Sequence, residues 1–135
     1  TMLRLAHERD EIRVVADQHG CPTGAPDLAS VVLSILTRLL TDENAPTGIY
    51  HCCNQGETTW AELARFVMSE SARFGGPSAD IIDIGTSDYP TPAKRPQNSR
   101  LSCDKLQREW GIEMRPWQAM AAETIAALLH EKGQA

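Results

Sequence analysis

The chain has 135 residues, of which 41% are hydrophobic and 23% charged, a balance typical of one globular domain. Its formal net charge of −5 argues against a nucleic-acid-binding protein, because such proteins usually carry a basic face. No apolar run is long enough to span a bilayer, and the charged start of the chain lacks the apolar core of a signal peptide. We therefore expect a cytoplasmic protein that binds neither nucleic acid nor membrane.

The first half of the chain alternates strand and helix patterns. Residues 1–9 are typical of the last turns of a helix, so we expect the chain to be a fragment of a longer protein. The β-branched run at 12–16 predicts a strand, and the Gly- and Pro-rich stretch at 17–27 predicts an ordered loop. Pro26 and Asp27 suit the first turn of a helix that ends near residues 41–44. Its apolar residues recur at helical spacing and predict a core-facing helix: Leu28, Val31, Val32, Ile35, Leu36, Leu39 and Leu40.

The second half continues the alternation. Residues 48–53 predict a second strand, and the capping-box spacing of Thr59 and Glu62 predicts a helix that runs to about Arg73. Residues 81–84 predict a third strand. Two further helices follow, one between Ser102 and Gly111 and one that opens at Pro116 and ends in a polar tail from residue 131. The residues expected to be buried on these helices are Trp60, Leu63, Ala64, Val67, Met68, Leu106, Trp110 and Trp117.

A few short strands among several helices indicate an α/β protein. Three strands make a thin sheet for helices of this length. We therefore expect some of them to join a larger sheet formed by a segment outside this sequence. If the chain folds alone, we expect an open apolar face that favours dimerisation or aggregation.

The cysteines and histidines do not form a recognised metal motif. Cys21, Cys52, Cys53 and Cys103 contain no C-x-x-C pair, and the histidines lack the spacing of a zinc site. The thiols are best interpreted as reduced and structural.

The usual catalytic motifs are also absent from the sequence. It contains no G-x-G-x-x-G, Walker A or G-x-S-x-G pattern. The Tyr-x-x-x-Lys pair of short-chain dehydrogenases is missing, because Asn54 follows Tyr50 and Ala93 follows Tyr89 at that spacing. We assign no catalytic, cofactor-binding or metal-binding residue.

Two loops remain as candidates for binding, DQHGCPT at 17–23 and YPTPAKRPQNSRL at 89–101. The prolines of the second loop make it stiff and extended, so it is either a rigid connector or a clamp for an anionic ligand. Its arginines favour the clamp, since a guanidinium matches the oxygens of a phosphate. Together the loops suggest two walls of a pocket for a phosphorylated small molecule.

The runs VVADQHGCPTGAPDLA, GIYHCCNQGETTWAELA and YPTPAKRPQNSRLSCDKL resemble the C-terminal half of the dTDP-4-dehydrorhamnose reductase family, which belongs to the extended short-chain dehydrogenases. The resemblance covers nearly the whole chain. It implies that residues 1–135 are the C-terminal substrate-binding portion of a Rossmann-type enzyme. An N-terminal part would bind NADPH or NADH and carry the catalytic residues. The substrate would be a dTDP-sugar, and this fragment alone would be inactive.

By position, the resemblance implies that substrate contacts come from Gln18, Thr23, Arg95, Asn98 and Arg100, with Arg95 at the diphosphate. From the residues alone, Thr23 could instead serve helix entry, Gln18 the loop backbone and Asn98 the turn. Some members of the family dimerise around a divalent metal, so a homodimer is compatible with the resemblance. No ligand for such a metal is assigned.

Two other functions stay open. A non-catalytic relative regulates methionine adenosyltransferase, and other relatives are nucleotide-sugar epimerases or dehydratases. The residues encoded before Thr1 would discriminate, since an intact Tyr-x-x-x-Lys pair and glycine-rich loop favour an enzyme.

Overall fold

A computed structural model describes residues 1–132 of the chain. The helices are α1 (Met2–Ala6), α2 (Ala25–Thr41), α3 (Trp60–Arg73), α4 (Asp104–Trp110) and α5 (Trp117–Lys132). The strands are β1 (Glu11–Val15), β2 (His19–Gly20), β3 (Thr58–Thr59) and β4 (Asp80–Ile84), and a 3-10 turn covers Thr86–Asp88. The mixed α/β class predicted from the sequence is confirmed. The polar tail was predicted from residue 131, but α5 continues to Lys132, and the residues after Lys132 lie outside the described part of the chain.

Strands β1 and β4 form a parallel pair in which Ile12 lies opposite Ile81 and Val14 opposite Asp83. Ile12 and Val14 point to one face of the sheet because side chains alternate along a strand. That face is buried against Ala61 and Ala64 of α3, both fully inaccessible to solvent. Alanine at these positions lets the helix lie close to the sheet. The two strands confirm the first and third predicted strands.

Helix α3 begins at the predicted capping box. The Glu62 backbone N–H donates to the Thr59 hydroxyl at 3.1 Å, and the Thr59 N–H donates to the Glu62 carboxylate at 2.9 Å. The helix ends before Gly75, whose φ of +72° favours glycine. The predicted buried face was wrong at Trp60, which is 55% exposed, and the face is rotated towards Ala61, Ala64, Met68 and Ser71.

A second core cluster lies under α4 and contains Val31, Ala45, Leu106, Trp110 and Met114. Helix α4 stops at Gly111, which adopts the predicted left-handed conformation with φ of +67°. A third cluster joins Trp117, Met120 and Ala121 of α5 to Leu63 and Phe66 of α3. The prediction that Trp110 and Trp117 are core anchors is confirmed.

The strand predicted at residues 48–53 is wrong, because the structure gives this segment no strand partner within residues 1–132. Its side chains nevertheless divide between two faces. Tyr50 and Cys52 pack against the cluster under α4, whereas Ile49 is 83% exposed. An extended segment becomes a strand only where a neighbouring strand pairs with it, and the described residues supply none.

Helix α2 has the predicted bounds but not the predicted burial. Of its apolar stripe only Val31 is buried, and Ile35 is half-buried against the same cluster. The prediction of a core-facing helix is therefore wrong for most of this face. We call the exposed residues the α2 face: Leu28, Val32, Leu36, Leu39 and Leu40.

None of the helices in the part of the chain described here is long and apolar enough to cross a membrane.

Candidate functional site

The two loops selected from the sequence meet in the structure. The His19 N–H donates to the Gln97 carbonyl at 2.8 Å, and the Ser99 N–H donates to the His19 carbonyl at 2.9 Å. Gly20 stands where the loops approach most closely, since a Cβ there would lie 2.9 Å from the Ser99 Oγ. The glycine of the first motif is therefore needed for contact with the second motif, a role that neither motif reveals alone.

Both loops lie at the carboxyl ends of the parallel strands. Asp17 and Gln18 follow β1, and Thr86 follows β4. The Asp17 carboxylate accepts hydrogen bonds from the Thr86 Oγ1 at 2.6 Å and from the Thr86 N–H at 3.0 Å. These bonds hold the pKa of Asp17 below its usual value. The carboxyl edge of a parallel sheet is a common ligand site in α/β proteins.

A cavity of about 540 Å³ extends along β1 to this edge and is lined by residues of the α1 segment, of β1 and of both loops. Gln18 and Arg95 line it together, with Trp60 and Tyr89 as aromatic walls. The Gln18 Nε2 also donates to the Thr86 Oγ1 at 3.1 Å, which fixes the amide at the rim. This cavity therefore joins two of the five residues that the sequence indicated for substrate contact.

Arg100 lies elsewhere and is already paired. Its guanidinium donates to the Glu57 carboxylate at 2.6 Å and to the Asn98 Oδ1 at 2.9 Å. It lines a separate cavity of about 480 Å³, whereas Arg95 has no ion-pair partner among residues 1–132. Arg95 is thus the arginine of this loop that is available to an anion.

Asn98 and Thr23 have local partners. The Asn98 Oδ1 also accepts from the Arg100 N–H at 3.1 Å, so its amide stabilises the turn. The Thr23 hydroxyl donates to the Cys21 carbonyl at 3.1 Å, and Thr23 lines a third cavity beside Leu63 and Met120. The structure therefore does not bring either residue to the cavity that contains Arg95.

Sequence reasoning favoured Trp60 as a core anchor over a stacking platform for a base, and the structure places it at the cavity instead of in the core. Its position at the start of a helical stripe predicted burial, yet it lines the cavity with Gln18 and Arg95. It also lines a smaller neighbouring cavity of about 160 Å³ that contains Gln18 and Ser99. The missed signal was its place in the first turn of α3, where a side chain points towards the loops that precede the helix.

A buried polar network supports the first loop. The Asn54 side chain is 1% exposed, accepts from the Gly24 N–H at 2.9 Å and donates to the Asp27 carboxylate at 2.6 Å. Arg115 pairs with Asp27 at 2.8 Å and with Glu123 at 2.6 Å. The bonds from Arg115 and Asn54 lower the pKa of Asp27. The network joins three distant parts of the chain, so the sequence pattern gave no sign of it.

Within residues 1–132, no group of three or more His, Cys, Asp or Glu side chains is arranged to hold a metal ion. The described residues therefore offer no such group for the divalent metal around which some members of the resembled family dimerise.

The sequence matches the family described as the RmlD substrate binding domain over residues 1–130. Among curated proteins, it is 45% identical to a dTDP-4-dehydrorhamnose reductase of Sinorhizobium fredii over 96% of the chain and 44% of that protein. It is 41% identical to the reductase of the same name from Escherichia coli over 87% of the chain and 40% of that protein. The chain therefore spans less than half the length of these relatives.

Solved structures agree with the sequence comparison. A dTDP-4-dehydrorhamnose reductase from Clostridium acetobutylicum superposes on 95% of the chain with a TM-score of 0.83 and 30% identity, and the match covers 42% of that protein. The reductase of Bacillus anthracis, solved in complex with NADP, covers 90% of the chain with a TM-score of 0.75 and 29% identity, and the chain covers 40% of it.

Proposed function

Because the chain belongs to the RmlD substrate-binding domain family, we propose that it forms the sugar-nucleotide-binding part of a dTDP-4-dehydrorhamnose reductase. The curated relatives named above bear that activity in their names, and the chain corresponds to the part of them that the family describes. The whole protein would reduce the C4 ketone of dTDP-4-dehydro-L-rhamnose and produce dTDP-L-rhamnose.

The observation that carries this proposal is that Gln18 and Arg95 line one cavity, which extends along β1 to its carboxyl end. A diphosphate entering a protein needs a cation and neutral donors to replace its water. Arg95 supplies the cation and Gln18 an amide donor. Since the chain as a whole carries a net charge of −5, the attraction for a diphosphate has to be local.

The aromatic walls suit the rest of the ligand. Trp60 and Tyr89 are 55% and 58% exposed and both line the cavity. Large exposed aromatic faces favour contact with the apolar faces of a sugar or a base. We propose that they orient the sugar nucleotide while Arg95 holds its diphosphate.

The hydride would come from NADPH or NADH, bound by a part of the protein that this sequence does not contain. The chain has no G-x-G-x-x-G pattern and no Tyr-x-x-x-Lys pair, so its own residues do not fit that cofactor. The role proposed for this chain is to bind and orient the substrate. The cytoplasmic location and the homodimeric assembly of the protein also stay predictions.

Steady-state kinetics of the full-length protein test the proposal. Replacing Arg95 by alanine removes a charged donor from the diphosphate, which corresponds to roughly a 10- to 100-fold increase in KM for the dTDP-sugar. The affinity for NADPH should stay unchanged, because Arg95 lies on the substrate side.

Lys94→Ala is the matched control, since it removes the neighbouring positive charge and Lys94 does not line the cavity. An unchanged KM in Arg95→Ala, or equal increases in both variants, would remove Arg95 from the substrate site. Turnover by the 135-residue chain alone would contradict the proposal that the cofactor and the catalytic residues belong to another part of the protein.

A further inference from the structure

Three thiols from distant parts of the sequence meet at one cavity. Cys21 belongs to the first motif loop, Cys53 precedes the buried Asn54, and Cys103 follows the second motif loop. All three line the cavity of about 480 Å³ that also contains Arg100. From the sequence we interpreted the cysteines as reduced, structural thiols. The fold brings three of them together at one cavity.

Cys53 and Cys103 are the closest pair. Their sulfur atoms lie 3.5 Å apart, and the Cys103 Sγ lies 3.9 Å from the Cys53 carbonyl oxygen. A disulfide bond is about 2 Å long, so the sulfurs need to approach by roughly 1.5 Å. Both residues lie in irregular segments, where side-chain rotation and a small backbone shift can supply that movement.

The other cysteines are less suitable partners. Cys52 faces away from Cys53 and packs against the cluster under α4. Cys21 influences the ionisation of Cys53 and lines the same cavity, yet it makes no thiol contact as close as the one between Cys53 and Cys103. The geometry therefore favours one pair among the four cysteines.

The two thiols of the pair differ in access. Cys53 is 5% exposed, and its burial together with the neighbouring Cys103 raises its pKa to about 12. It therefore remains protonated at neutral pH and reacts slowly with an oxidant, because the thiolate is the nucleophile. Cys103 is half-buried and lines the open cavity, so it is the thiol that a small oxidant reaches first.

We propose that Cys53 and Cys103 form an oxidation site that gives up two electrons to a small peroxide and closes a reversible disulfide. This site is independent of the proposed reductase function. In the first step, the Cys103 sulfur attacks one peroxide oxygen, the O–O bond breaks, and the leaving hydroxide takes the thiol proton as water. In the second step, the Cys53 sulfur attacks the Cys103 sulfenic acid, the S–O bond breaks, and the Cys53 proton leaves in a second water.

The balance is two thiols and one hydrogen peroxide giving one disulfide and two waters. Reduction by a small dithiol restores both thiols through exchange. The bond joins residues 50 positions apart, which removes conformational freedom from the unfolded chain. It also ties the end of the second motif loop to the segment that contains Asn54. The disulfide form should therefore unfold at a temperature several degrees higher than the reduced form.

The test treats the protein with a small excess of hydrogen peroxide and maps its peptides under non-reducing conditions. We expect a cross-link that is two hydrogens lighter than the sum of the peptides containing Cys53 and Cys103. Dithiothreitol should remove both the cross-link and the increase in melting temperature. Because Cys52 adjoins Cys53, a Cys52→Ser variant assigns the link to one sulfur.

Matched variants complete the experiment. Cys103→Ser and Cys53→Ala should each abolish the cross-link and the temperature shift, whereas Cys21→Ser and Cys52→Ser should retain both. A link between Cys21 and Cys53 in the unaltered protein would overturn the proposed pairing. Oxidation of Cys103 to sulfinic acid without any cross-link would overturn the disulfide itself.

Discussion

Helices α2 and α3 both have an apolar stripe, but the protein buries only one of them. On α3, Ala61, Ala64 and Met68 are at most 4% exposed, because the helix lies between the β1–β4 pair and α5. On α2, Val31 alone is buried, while Leu36 and the rest of the α2 face remain open. An amphipathic pattern thus predicts that a face will be covered, without indicating whether this chain supplies the cover.

The open face also agrees with the length of the chain relative to its family. The chain spans 44% of its relative from Sinorhizobium fredii and 40% of the one from Escherichia coli. The segment at 48–53, which has no strand partner within residues 1–132, packs on the same cluster as Val31 of α2. The thin sheet led us to expect a segment outside this sequence that extends it, and coverage of the α2 face by the same segment stays a prediction.

Truncation of the buried stripe should have the largest effect. Met68→Ala removes a 4% exposed side chain from α3 and leaves a cavity, so it should lower the free energy of unfolding by about 3 kcal/mol. Urea denaturation of the 135-residue chain measures this. A loss below about 1 kcal/mol would mean that α3 is packed no more tightly than α2.

The fixed end of α2 should be the next most sensitive point. Asn54→Ala leaves the Gly24 N–H without its side-chain acceptor and removes one of the donors to the Asp27 carboxylate, which still pairs with Arg115. We expect a loss of about 2 kcal/mol of stability. Gln55→Ala is the matched control, because Gln55 is exposed and should change stability by less than about 0.5 kcal/mol. Equal losses in the two variants would show that the buried network does not hold the helix.

Acid should weaken the same end of α2. The bonds from Arg115 and Asn54 lower the pKa of Asp27 in the folded state below its unfolded value of about 4. A lowered folded pKa contributes stability that is complete above the unfolded pKa and is lost as the pH falls through the folded pKa. Asp27→Asn should therefore show a weaker fall in stability between about pH 5 and pH 2. Identical pH profiles for the two proteins would contradict this role.

The open face should show the smallest effect. Leu36 is 49% exposed, so Leu36→Ala should change the stability of the isolated chain by less than about 0.5 kcal/mol. The same substitution in a full-length protein should cost about 2 kcal/mol if the α2 face is covered there. In the isolated chain, Leu36→Asp should reduce self-association in analytical ultracentrifugation. If the unaltered chain is monomeric and does not aggregate, the expectation that the α2 face drives self-association is wrong.

Much of the local structure was predictable because neighbouring residues determine it. The capping box of Thr59 and Glu62, the stop at Gly111 and the start of α2 at Pro26 depend on contacts within a few residues. The family followed from the motifs, and the two loops that the motifs indicated lie in contact with each other. The sequence predicted that the two loops lie close together. It did not predict that backbone hydrogen bonds such as the one between Ser99 and His19 join them.

The sequence by itself determined the α/β class, most helix bounds and the family, because periodicity, caps and motifs are local properties of a chain. Tertiary structure alone decided that Gln18 and Arg95 share a cavity while Arg100 pairs with Glu57. It also decided that Trp60 and the α2 face stay exposed and that Cys53 meets Cys103. These outcomes depend on which distant segments of the chain pack together. A pattern of apolar residues indicates only that a surface favours burial, not which segment covers it.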